Sequence, residues 1–340
     1  MKALFLSAPQ SFEYRDTRPP EAPEGWVRVR MRHVGICGSD VHYYETGRIG
    51  DQIVKYPFVL GHEGSGEVAA GQSRTGAPIY IEPAIACHEC DQCLEGRENT
   101  CRNLKFLGNP LELAGCMSEE VALPAECIVA LPEWMPLDEA VLLEPLSIGV
   151  HAVSRARVIK GCRVAIVGAG PIGLTTLLAA SDFTPREVLV SEPVAARRAA
   201  AEKLGARRSF DPGGGGAAGA IYDASHGGVD VAFECAGTQE SIDDATRMLR
   251  PGGTLVLIGI PADLDRATYD PHLARRREIT AVNVRRQNRC VEKALAILER
   301  RRDAARVLLT HRFPPAQAKK AFELVLQKAD GAIKALISWP

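Results

Sequence analysis

The sequence contains no long apolar run. Its N-terminal stretch MKALFLSAPQSFEYRD is apolar only over residues 3–6 before Glu13, Arg15 and Asp16 interrupt, so neither a signal-peptide core nor a membrane span fits. An excess of charge is missing as well. Lys plus Arg total 41 against 42 Asp plus Glu, a formal net charge of -1, which gives no general attraction to nucleic acid or to an anionic membrane. The basic runs ARRRE (274–278) and ERRRDAAR (299–306) read as solvated loops. These absences predict a cytoplasmic protein with no nucleic-acid or membrane partner. At 340 residues the chain is long enough for about two domains whose cores need no disulfide staples.

Cysteine, by contrast, is concentrated. Four of ten cysteines, Cys87, Cys90, Cys93 and Cys101, fall within fifteen positions. Inside a cell, such crowding points to thiolate metal binding rather than to disulfides. The spacing C-x2-C-x2-C-x7-C can bring four sulfurs round one tetrahedral zinc or into an iron–sulfur site. Four protein ligands leave no open position, so the site is structural and silent about chemistry. The scattered cysteines, Cys116, Cys127, Cys162, Cys235 and Cys290, read as small buried apolar residues.

A second candidate metal site lies upstream, in GICGSDVHYY and PFVLGHEGSGEV. Cys37, His62 and Glu63 offer one sulfur, one nitrogen and one oxygen ligand, a mixed set that can leave a fourth position open for catalysis. A lone Cys and a lone His-Glu pair are commonly ordinary residues. What favours a site is the setting, since Gly35, Gly38, Gly61, Gly64 and Gly66 mark tight backbone around both.

The stretch RVAIVGAGPIGLTTLLAA, residues 163–180, runs from an apolar strand through Gly168, Gly170, Pro171, Ile172 and Gly173 into a helical pattern. That strand-turn-helix context is what G-x-G-x-x-G needs before it signifies a dinucleotide site. Pro171 suits a first-turn position. A second strand, REVLVSEP, ends in Glu192, nineteen residues past Gly173, where an acid can hold the ribose hydroxyls. The alternation of strands and helices continues and predicts a six-strand doubly wound sheet over about 149–283. On either side, short strands rich in Gly and Pro read as a partly open β-barrel, to which the C-terminal strands return. The expected class is α/β.

Taken in order, GICGSDVHYYETGRIG, LGHEGSGEV, the four-cysteine segment, LLEPLSIGVHA and GAGPIG resemble the zinc-dependent medium-chain dehydrogenases over nearly the whole chain. VHYYETGRIG, EPLSIGVHA and VLLTHRFP are most similar to the polyol branch, the sorbitol and xylitol dehydrogenases. The resemblance implies a GroES-like catalytic domain, residues 1–148 and 284–340, interrupted by a Rossmann NAD-binding domain, residues 149–283, with the active site in the cleft between them. It implies two zinc ions per chain, one catalytic on Cys37, His62 and Glu63 and one structural on Cys87, Cys90, Cys93 and Cys101.

By the same resemblance Glu144 lies beside the catalytic metal; a surface acid is the alternative, disfavoured in so apolar a run. Asp40 orients a ligand or serves only a turn. Ser39 and His42 carry the proton to solvent, or are a turn serine and a surface histidine. Tyr43 lines the substrate pocket or packs in the core. Arg285 binds substrate, and Arg286 stands where polyol enzymes often carry tyrosine. Glu192 favours NAD over NADP, with Arg197 and Arg198 able to offset a phosphate. The segment 69–78 is shorter than in the family. The implied reaction is oxidation of a secondary hydroxyl of a polyol to a ketose with hydride transfer to NAD, in a homo-oligomer, dimer or tetramer. Two other readings stand beside it: threonine 3-dehydrogenase or another zinc alcohol dehydrogenase, and a non-catalytic dinucleotide-binding protein.

Overall fold

The computed structural model describes residues 1–71, 74–261 and 266–340. They form two compact units, Met1–Glu144 with Leu309–Pro340, and Pro145–Leu308.

The first unit is built round the strand Trp26–Gly35. Val27, Val29 and Met31 are fully buried, while the alternating arginines, Arg28, Arg30 and Arg32, reach outward, the period of two expected of a strand with one face on a core. Glu63–Ala70 pairs along one side of this strand and Lys334–Ser338 along the other, within a seven-stranded sheet that also takes in Pro78–Ile81, Glu120–Pro124, Ile128–Ala130 and Leu309–Phe313. The C-terminal strands therefore do return to the N-terminal barrel. One consequence is local: Glu63 and Leu336 both pair with Gly35, which sets the start of the last strand beside a candidate metal ligand.

The second unit carries β1 (Arg163–Val167), β2 (Glu187–Ser191), β3 (Arg208–Phe210), β4 (Val229–Glu234), β5 (Leu249–Leu257) and β6 (Thr280–Asn283). Among the described residues these make one parallel sheet in the order β3-β2-β1-β4-β5-β6. It is the doubly wound sheet expected, with its order reversing between β1 and β4. The helix Pro171–Ser181 buries every residue from Gly173 to Ala180, as a helix apolar on all sides must.

The unit begins at Pro145 and ends at Leu308, where the sequence boundaries were 149 and 283. The helix Val291–Ala305 accounts for the longer end: Arg301 Nη2 donates to Leu204 O at 2.8 Å and Arg300 Nη2 pairs with Asp182 at 2.8 Å. Both basic runs expected in loops lie largely in helices, Pro271–Arg276 and Val291–Ala305. In the longer one Ala294, Ile297 and Leu298 supply a buried face, and charge on the opposite face does not prevent a helix. Of segment 69–78, residues 72 and 73 lie outside the described residues. No helix among the described residues is long and apolar enough to cross a membrane.

Candidate active site

Cys37 immediately precedes the helix Gly38–Thr46, which ends at Gly47 with φ 74. The first turn is held by Asp40. Its Oδ2 accepts from Cys37 N at 3.0 Å, its Oδ1 accepts from Gly61 N at 3.0 Å and stands 3.7 Å from His62 Nδ1. One wholly buried carboxylate thus ties the segment carrying Cys37 to the segment carrying His62 and Glu63. Burial raises the Asp40 carboxyl, and His62 and the two N–H groups oppose that rise.

The ligand atoms of Cys37, His62 and Glu63 lie within 4.8 Å of one another. Glu63 has a partner that the sequence did not reveal. Lys334 Nζ, 1% exposed, donates to Glu63 Oε1 at 2.7 Å and Oε2 at 2.6 Å, and to Ile36 O at 3.1 Å. Gly35 makes the room, because a Cβ there would fall 2.1 Å from Glu63 Oε2. The one available signal was a single charge inside the apolar strand GAIKALISW.

Glu144 is buried and its Oε2 has no hydrogen-bond partner. Burial holds its carboxyl well above the usual carboxylate range, with His62 opposing and Glu63 and Cys37 adding to the rise. Burial likewise pushes the Cys37 thiol up to about 12, with Glu63 adding to it. Three carboxyl groups, Asp40, Glu63 and Glu144, and a thiol are gathered here against Lys334 and His62, more acidic groups than the two basic ones can balance. A divalent cation supplies the missing positive charge, and a sulfur, nitrogen and oxygen set suits zinc.

Ser39 hydrogen-bonds the Cys37 sulfur, and His42 follows three residues on, half-buried on the same face of the helix. Tyr43 packs in the core of the first unit and its hydroxyl donates to Gln52 Oε1 at 2.7 Å. Arg285 and Arg286 belong to the second unit, just past β6; Arg285 is exposed and Arg286, half-buried, has φ 52.

The four-cysteine lobe comes together as its spacing predicts. Neighbouring sulfurs stand at 3.4 Å (Cys87–Cys101), 3.6 Å (Cys90–Cys93), 3.9 Å (Cys90–Cys101) and 4.0 Å (Cys87–Cys93). Zinc–sulfur bonds of about 2.3 Å span a tetrahedron with edges of about 3.8 Å, so these four fit one ion. N–H groups of Arg102 and Cys93 point at Cys90 Sγ and lower its thiol to about 6, favouring the thiolate a metal needs.

In the second unit Pro171 opens its helix and Gly168 has φ 93. A Cβ on Gly173 would lie 1.8 Å from Gly168 O, so only glycine permits this strand-to-helix turn. A Cβ on Gly170 would meet nothing nearer than Arg197 Nη1 at 3.9 Å, so the turn has open space beside it of the kind a close-lying pyrophosphate needs. Ile172 is half-buried beside it. Glu192 follows β2 and is 3% exposed; its Oε2 accepts from Ala169 N at 2.7 Å and its Oε1 from Val194 N at 2.9 Å. The acid is thereby locked to the glycine turn.

Residues 23–133 match the alcohol dehydrogenase GroES-like domain family and residues 171–300 the zinc-binding dehydrogenase family. Over 99% of the chain the sequence is 31% identical to sorbitol dehydrogenase of Bacillus subtilis, covering 97% of it. It is 34% identical to L-idonate 5-dehydrogenase of Vitis vinifera over 92% of this chain and 87% of that one. The structure superposes with TM-score 0.88 and 28% identity on a zinc-binding dehydrogenase of Sinorhizobium meliloti bound to NADP, covering 99% of each chain.

Proposed function

We propose, for a chain that belongs to the zinc-dependent medium-chain dehydrogenases and to their polyol branch, that it oxidises a secondary hydroxyl of a polyol to a ketose and passes the hydride to NAD. The observation that carries the reading is the Cys37, His62 and Glu63 cluster, its ligand atoms within 4.8 Å, with the unpartnered Glu144 Oε2 beside it. Zinc bound by these residues supplies Lewis-acid polarisation of a hydroxyl oxygen and lowers its pKa toward neutrality. Asp40 fixes the backbone under Cys37 and His62. Lys334 holds Glu63 in place. Ser39 takes the substrate proton and hands it to the half-buried His42, which releases it to solvent. Glu144 receives a second substrate hydroxyl. Arg285 and Arg286 bind substrate, and Tyr43, fixed by Gln52, is the aromatic wall on the substrate side.

The turn at Gly168, Gly170, Pro171, Ile172 and Gly173 holds the pyrophosphate, and Glu192 receives the ribose hydroxyls. A 2′-phosphate there would meet a buried carboxylate, and of the two arginines able to offset it Arg198 is already engaged by Glu192 O, Pro193 O and Asp211, which supports NAD over NADP. The two arginines after β6 support a second reading, a polyhydroxy acid, in which they pair with a carboxylate. The chain would act in the cytoplasm as a homo-oligomer, dimer or tetramer.

The test is catalytic efficiency on sorbitol, xylitol and related polyols against L-idonate, threonine and ethanol, each with NAD and with NADP, and with the ketose identified by chromatography. Polyols with NAD should lead. Superior turnover of ethanol or threonine would remove the polyol assignment, and higher efficiency with NADP would remove the NAD preference.

A further inference from the structure

Three turns meet at the carboxyl ends of β1, β4 and β5. Gly168 lies so near the turn after β4 that a Cβ on it would stand 3.2 Å from Ala236 Cβ. Gly237, with φ 75, lies so near the turn after β5 that its Cβ would fall 2.4 Å from Ile260 O. One side chain braces this meeting. Glu234, the last residue of β4 and 1% exposed, accepts at Oε1 from Ala236 N, Gly237 N and Ser241 Oγ, each at 2.7 Å. Its carbonyl accepts from Ile258 N at 2.9 Å and Gly259 N at 3.1 Å, and a Cβ on Gly259 would stand 2.8 Å from Glu234 Oε2. Short hydrogen bonds to a carboxylate are the strong kind, and without this one the buried Gly237 N–H loses its acceptor.

A doubly wound sheet binds its dinucleotide across the strand ends where the order reverses, here between β1 and β4. Glu192 marks the adenosine side at the end of β2, so the turns after β4 and β5 border the nicotinamide side. We propose that Glu234 is a positioning residue which fixes the 235–237 and 258–260 turns as the wall of the nicotinamide subsite. The inference rests on dinucleotide binding by this unit. Glu234 acts through the two turns, touching neither cofactor nor substrate.

The experiment titrates zinc-loaded wild type and the variants Glu234→Ala, Glu234→Gln and Glu234→Asp with NADH and, separately, with ADP-ribose, which lacks the nicotinamide. The alanine variant should bind NADH at least tenfold more weakly and ADP-ribose within twofold of wild type. The glutamine variant, whose amide oxygen can accept from the same donors, should recover NADH affinity to within threefold. Unchanged NADH affinity in the alanine variant, equal weakening toward both ligands, or a glutamine variant as weak as alanine overturns the proposal. Should the alanine variant not fold, the aspartate variant decides on the same terms, because it keeps the charge but falls one methylene short of the turn. Wild type that binds neither ligand overturns the dinucleotide reading and this inference with it, whereas tight wild-type binding with indifferent variants overturns the inference alone.

Discussion

In the four-cysteine lobe every ligand lies between Cys87 and Cys101, the sulfurs touch one another, and among the described residues the buried apolar cluster there adds to the ligands only Leu104, with Ala84 and Ala86 packed against it. In the Cys37, His62 and Glu63 site, the ligands come from two segments bridged by Asp40, and the cation facing Glu63 arrives from 271 residues away. The lobe has little to hold it together besides its thiolates and whatever ion they bind. The second site is held by protein groups, Asp40 tying the two segments together and Lys334 fixing Glu63. A metal should therefore fold the first and merely complete the second.

The largest effect should come from splitting the two. Cys37→Ala should reduce turnover to background while the protein stays folded with one zinc per chain by elemental analysis. Cys93→Ser should also leave one zinc, the other one, with turnover retained and with new protease cleavage between residues 87 and 104. Both variants losing both ions, or a fully active Cys37→Ala, would break the contrast.

Next in size is Lys334→Met. It leaves Glu63 buried without its cation, and breaking a buried pair from one side costs roughly 3–5 kcal/mol. The loss should appear in urea unfolding of the metal-free protein and shrink when zinc is saturating, since the ion then faces the same carboxylate. A deficit that is the same with and without zinc would show that Lys334 supports the barrel rather than the site.

Gly35→Ala is milder, because it adds one methyl group where Glu63 Oε2 now lies, 2.1 Å from the new atom. The carboxylate must move while Cys37 and His62 stay. Losing an outer partner of a metal ligand typically costs about 10–100-fold in metal affinity or activity, so displacing the ligand carboxylate itself should cost at least that, while zinc in the lobe should be unaffected. Wild-type affinity at both sites would mean that Glu63 has slack that the geometry denies.

The same contrast explains what could be read before the fold was known. Cys87, Cys90, Cys93 and Cys101 are legible because their partners are local, and Glu192 is legible because one strand-helix-strand unit fixes its distance from Gly173. Lys334 and Glu234 are not. Lys334 depends on a strand pairing across the whole chain, and Glu234 on two turns that close on it only after β4 and β5 lie side by side. The family resemblance places residues 284–308 with the catalytic domain, whereas the buried face of Ala294, Ile297 and Leu298 goes with the unit that ends at Leu308.

The smallest effect expected is in the lobe, on an ion pair as short as that of Lys334. Arg102 Nε and Nη2 donate to the two oxygens of Asp91 at 2.5 and 2.7 Å, yet the side chains are 66% and 47% exposed. Water screens such a pair, and holding two long side chains together offsets most of what remains. Arg102→Gln should leave the unfolding midpoint and the zinc content unchanged within error, because the N–H aimed at Cys90 belongs to the backbone and survives the substitution. The sign with pH is fixed: hydrogen bonding to Arg102 holds the Asp91 carboxyl below its usual range, so whatever the pair contributes is present at neutral pH and is lost only as pH falls. An Arg102→Gln variant that sheds lobe zinc at neutral pH and low salt, as readily as Lys334→Met loses stability, would show that burial is not what separates the two pairs.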